Sequence, residues 1–150
     1  MANQQVDFVY DRKNPFILVN ESEGNELYVD YKSKIVKIIW NGVVDIEPAS
    51  KLLTIGANLI ESRECNKILL CRQELNEFTI QARLWIKQEL LMKRAKKLAG
   101  DVEKIAAVNA RTIKGSVFAN FISSAIKLIL PSLVLKKFHD EGEALTWLAE

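Results

Sequence analysis

The chain has 150 residues, enough to bury a core without disulfides or metals, and its 49% apolar and 27% charged content is that of one globular domain. A formal net charge of +2 is too small to argue for nucleic acid or an anionic membrane surface as partner. No apolar signal region follows the basic residues of the MANQQVDFVYDRK start, and Lys127 and Pro131 interrupt the most apolar run, Val117 to Leu135, so a cytoplasmic protein with no membrane span is expected.

Residues 1–24 carry no clear period, with a break at Asn14-Pro15 and a polar turn over 20–24, and are expected to be a loosely attached arm, with a short strand at most over 16–19. Residues 25–150 then form a single domain. Glu26 to Lys32 alternates, with Leu27, Val29 and Tyr31 on one face; Lys34 to Trp40 sets Ile35 and Ile39 against Val36, Ile38 and Trp40. A turn at Lys32-Ser33 joins them as an antiparallel hairpin, and Asn41-Gly42 ends the second strand. From Glu47 the period changes: Pro48 suits a first helical turn, and Ala49, Leu52, Leu53, Gly56, Leu59 and Ile60 follow at helical spacing. Asn66 to Cys71 is apolar on both faces, as a central strand between helix layers is. A long helix over 79–98, closed by Gly100-Asp101, leads to a second buried strand over 103–108. A third helix over 114–130 carries Phe118, Phe121, Ile122, Ala125 and Ile129 and stops at Pro131. The end repeats the unit: a short strand (Leu133, Val134, Leu135), a basic exit (Lys136, Lys137), a capping box of Asp140 with Glu143, and a helix with Ala144, Leu145, Trp147 and Leu148.

Strands joined through helices run parallel with right-handed crossovers. The expected fold is therefore α/β: a mostly parallel four- to five-stranded sheet with an antiparallel N-terminal strand and helices packed on its faces. Cys65 and Cys71 flank one strand, roughly 20 Å apart, beyond the about 7 Å that a disulfide spans, which suits a reducing compartment.

This element order resembles the STAS-like fold of the sporulation anti-sigma-factor antagonists, and in particular a SpoIIAA-like branch of poorly characterised bacterial proteins. The segments IVKIIWNGVVDIEPASKLL (35–53), NKILLC (66–71) and VLKKFHDEGEALTWLAE (134–150) carry the likeness, which covers about residues 26–150 as a pattern. The resemblance implies partner-protein work without catalysis. Members of that family carry an Asp-Ser-Ser-Gly-like step between the third strand and the next helix, where a partner kinase phosphorylates a serine. Here residues 75–81 read LNEFTIQ, so the phosphoswitch does not transfer. Thr79 falls near that place and is the candidate regulatory position, although a helix N-cap is its simpler role.

Elements of chemistry are sparse. No GxG or GxxxxGK[ST] loop is present, and His139 has only carboxylates near it, of which Asp140 and Glu143 act as caps, so neither cofactor nor metal is expected. Ligands of open parallel sheets bind outside the strand C-termini. That edge is expected to collect Cys71, Arg72, Gln73, Asn109, Arg111 and Thr112, where two guanidiniums beside a helix start suit an anion and Arg72 favours a Cys71 thiolate, although the simpler roles are a Cys71 packed as a small hydrophobe and loops kept polar for solubility. The basic cluster Lys87, Lys93, Arg94, Lys96 and Lys97 lacks interleaved aromatics and suits a solvated helix end. Leu84, Trp85, Ile86, Leu90, Leu91 and Met92 form an arc wider than one core-facing stripe, and the third helix adds more, so some apolar surface awaits a cover. The leading expectation is a non-enzymatic, STAS-like interaction or regulatory module, with a protein partner or self-association as a homodimer. The alternative is a small binder of a lipid or other apolar ligand; a thiol enzyme using Cys71 is a third class.

Overall fold

The computed structural model describes residues 15–150; residues 1–14 of the expected arm lie outside the described residues. So do several side chains of the helix that starts at Ile113, among them the expected core stripe of Phe118, Phe121, Ile122, Ala125 and Ile129. Six strands form one sheet in chain order: β1 (Ile17–Ser22), β2 (Asn25–Asp30), β3 (Ile35–Val44), β4 (Lys67–Phe78), β5 (Lys104–Val108) and β6 (Leu135–Phe138). The β1–β2 and β2–β3 pairs are antiparallel and the remaining pairs parallel. The sequence predicts four or five strands; the additional one is β1, which pairs with β2 along the edge of the sheet.

The β2–β3 turn is built by Asp30, whose carboxylate accepts from the backbone amides of Lys32 and Ser33, both at 3.1 Å. Leu27 and Val29 are fully buried, while Tyr31 stands exposed in the turn. The helices are α1 (Ile46–Glu61), α2 (Ile80–Trp85), α3 (Ala95–Ala99), α4 (Ile113–Ile129) and α5 (Glu141–Ala149), with a π-helical segment over Ile86–Met92 between α2 and α3.

Three boundaries differ from expectation. Asn41-Gly42 does not end β3: the pairing with β4 slips at this point, Gly42 takes the slack at a φ of +65°, and the strand continues to Val44. β4 does not stop at Cys71 but continues to Phe78, because Leu75 and Phe78 still bury against the helices while polar residues alternate with them. β6 covers Leu135–Phe138 rather than 133–135, so Lys136 and Lys137 belong to a short edge strand, where lysines discourage further pairing. The predicted long helix over 79–98 is broken in three; its π turns widen the helix and change which side chains face the sheet.

The two faces of the sheet are covered unequally. On one, Val36, Ile38, Trp40 and Val44 pack with Ala49, Leu52 and Ile60 of α1, Ala82 of α2 and the π segment. On the other, Ile35, Leu69, Cys71, Ala106 and Val108 meet Ala144 and Leu148 of α5. Asp140 caps α5, accepting from the amides of Gly142 and Glu143.

Candidate functional site

β3 and β4 stay paired to their last residues, Val44 opposite Phe78, and each next residue is a helix N-cap: Asp45 for α1 and Thr79 for α2. The pairing forces the two caps together. The Thr79 hydroxyl donates to Asp45 Oδ1 at 2.7 Å and accepts from the Ala82 amide at 3.2 Å, while the Thr79 amide donates to the Val44 carbonyl at 3.0 Å. The same Asp45 oxygen accepts from the Ile46 amide at 2.8 Å. The Thr79 hydroxyl, and after it this amide, hold the Asp45 carboxyl below its ordinary value. Four apolar residues flank the pair and are left to solvent: Val43 at 59% exposure, Ile46 at 37%, Ile80 at 64% and Leu84, one turn beyond Ile80, at 50%.

The residues expected at the strand C-termini are divided between different environments. Cys71 and Arg72, adjacent on a strand, point to opposite faces. Cys71 packs under α5, with Sγ 3.5 Å from Glu141 Oε1; burial first, and the Glu141 carboxylate second, push the thiol up to about 12. Arg72 does not stabilise a thiolate there. Its guanidinium lies under α4, donating to the Val108 carbonyl at 3.2 Å and to Ser123 Oγ at 3.1 Å, and burial draws it down to about 10, still a cation at neutral pH. Arg111 donates its amide to the Gln73 carbonyl and pairs its side chain with Glu74. Thr112 caps α4 by accepting from the Gly115 amide, and the Asn109 amide donates to the Phe138 carbonyl of β6. The loop after β5 thus lies against β4, and so closely that a Cβ on Gly115 would run into the Leu75 carbonyl oxygen. Among the described residues no group of three His, Cys, Asp or Glu side chains is placed to hold a metal.

Two features escaped the sequence. The first is a buried charge: Lys37 Nζ lies 3.0 Å from Glu141 Oε2 and 4.4 Å from the Phe16 ring centroid, beside Cys71. A lysine at an inward position of an alternating strand was its only signal. The second is a cavity of about 120 Å³ on the face opposite α5. Its floor is Ile38, Ile68, Leu70 and Ile105, and its walls include Gly56 and Ala57 of α1, Leu90 and Leu91 of the π segment, and Ala95 and Ala99 of α3.

This architecture is SpoIIAA-like. An uncharacterised protein of the DUF3478 family with a SpoIIAA-like fold, from Shewanella loihica PV-4, superposes with a TM-score of 0.55 at 15% identity, over 89% of this chain and 91% of that one. The anti-sigma factor antagonist SpoIIAA in its unphosphorylated form superposes with a TM-score of 0.52 at 14% identity, over 89% of this chain and 96% of its own. At these identities the likeness is one of fold. No family model matches the chain, and no curated protein matches it. No helix among the described residues is long and apolar enough to cross a membrane.

Proposed function

We propose that this chain is a non-enzymatic protein-interaction module that self-associates as a homodimer through the face around Asp45 and Thr79. The observation that carries this is the set of exposed apolar side chains Val43, Ile46, Ile80 and Leu84 around a pair of joined helix caps. Exposed apolar side chains can meet their own copies about a twofold axis, and the exposed Asp45 and Glu47 carboxylates flank Ile46 in the sequence. The backbone of this face is fixed by the Asp45–Thr79 bond, so little order is lost on contact. Thr79 is the position where a change of charge acts on this face: a phosphate on its oxygen replaces the proton given to Asp45 and sets two negative groups side by side. The elevated Cys71 thiol supports a role without thiol catalysis, and two free, buried cysteines suit the cytoplasm.

Sedimentation velocity of the full chain and of the Ile80→Asp, Leu84→Asp double variant tests the reading. A concentration-dependent dimer is expected for the wild type, and a folded monomer for the variant, since both sites are exposed. A wild type that stays monomeric at every concentration, or a variant that dimerises equally well, would sink it.

A further inference from the structure

β4 lies inside the sheet with parallel neighbours on both sides, yet its two faces differ. Leu69 and Cys71 are fully buried under α5, whereas Ile68 and Leu70, on the helix-rich side, are only half-buried. The space over them is the 120 Å³ cavity, and every described residue lining it is apolar or glycine. Two independent features make the room. Gly56, Ala57, Ala95 and Ala99 present small side chains from facing walls, where leucines would meet. The π segment also turns two consecutive residues, Leu90 and Leu91, toward the same space, which an α-helix with 100° between neighbours does poorly.

We infer that this cavity is a binding site for the apolar part of a small uncharged molecule, a ring or a short alkyl chain. Its volume selects the size class: it is close to the roughly 150 Å³ apolar cavities that stay dry and take up benzene, and too small to admit a helix. Its lining selects the chemistry, because a charged or hydrogen-bonding group would lose its water there without a partner. Half-exposed Leu98, Leu130 and Leu133, at the ends of α3 and α4, mark the side from which a ligand enters. The site lies away from the Asp45–Thr79 face, so either proposal can fail alone.

The test titrates benzene and n-hexanol separately into the full chain, following the thermal midpoint and the methyl NMR signals of Ile68 and Leu70. A dose-dependent rise with benzene alone assigns a ring, and with n-hexanol alone a chain; both support the site. Ala99→Leu fills one wall and should bind at least about tenfold more weakly, the fold-change that a few misplaced methylenes produce. Ala57→Leu, from the opposite wall, repeats the test should the first variant not fold. The inference is overturned if neither probe moves the midpoint or the methyl signals, or if a folded filled variant responds as the wild type does. It is also overturned if Ala99→Leu dissociates a dimer instead, which would make the occupant a side chain of a second copy.

Discussion

Glu141→Gln and Lys37→Met should have unequal consequences although they break the same ion pair. The pair spans 3.0 Å, with 9% of the Lys37 side chain and 34% of the Glu141 side chain exposed. At an effective dielectric of about 20, two charges at that distance attract by roughly 5 kcal/mol, but dehydrating the ammonium offsets most of this. Glu141→Gln leaves the ammonium buried beside the Cys71 thiol, facing a neutral amide oxygen and the Phe16 and Tyr28 rings in place of a carboxylate. Removing one partner of a fully buried pair costs about 3–5 kcal/mol; Glu141 is partly exposed, so about 2–3 kcal/mol is expected, including the loss of a carboxylate at the start of α5. That is about 4–12 °C in Tm for a chain of this size. Lys37→Met removes the charge, keeps the stem against Phe16 and leaves a carboxylate that can reach solvent, so it should change stability by less than about 1 kcal/mol. Urea denaturation of both variants and of the double variant at neutral pH reads these numbers as a cycle. In the methionine background, Glu141→Gln should cost less than about 1 kcal/mol. If Lys37→Met costs as much as Glu141→Gln, the pair is a net stabiliser and the desolvation reasoning is refuted.

Gly115→Ala drives a methyl group into the Leu75 carbonyl and the Thr112 hydroxyl, and should lower stability by about 1–3 kcal/mol in urea denaturation. Gly100→Ala, which meets only the Lys97 carbonyl at ordinary contact, is the neutral control. Thr79→Val removes the α2 cap and should cost about 1 kcal/mol. It should also flatten the acid limb of stability. The depressed Asp45 carboxyl contributes stability that is present above its ordinary value of 3.8 and lost as pH falls through the lower folded value, and Thr79 is the main cause of that depression. Unchanged acid sensitivity in the variant would exclude Thr79 as the cause. Native Cys71 should alkylate far more slowly than free cysteine at neutral pH, because burial pushes its thiol up to about 12; labelling at the free rate would contradict its placement under α5.

What the sequence disclosed was local. Alternation located β2 and the start of β3, and the caps at Thr79 and Asp140 could be read because a cap needs only its own next turn. The hidden parts depend on register or distance. β4 past Cys71 looks like a loop because an arginine occupies an inward position, and it is buried there only because the Val108 carbonyl and Ser123 of α4 receive it. The union of Asp45 with Thr79 follows from Val44 facing Phe78 across two slips in the β3–β4 ladder, which no linear period encodes. Lys37 and Glu141 lie 104 residues apart. The break in the helix over 79–98 is similar: Ile86 and Leu91 bury while Met92 stays exposed, a five-residue spacing that a 3.6-residue period cannot anticipate.

The unequal faces of the sheet bear on where a function can reside. Under α5 the packing closes over Leu69, Cys71 and Val108, and the charge of Lys37 is matched by the first residue of the covering helix. Loosening that face exposes the apolar side chains of Leu69, Val108 and Leu148 to water, so it resists opening. On the other face the cover is assembled from α1, α2, the π segment, α3 and α4, and the cavity remains between them. Left unfilled, the space deprives the apolar side chains around it of packing partners, which costs stability. Leucine in place of Ala57 or Ala99 adds three carbons toward the gap without touching a hydrogen bond that the structure records, so the void is not forced by backbone geometry. A cost so readily removed by one substitution is best explained by an occupant that offsets it, and the face that can bind one is the face whose helical cover is broken.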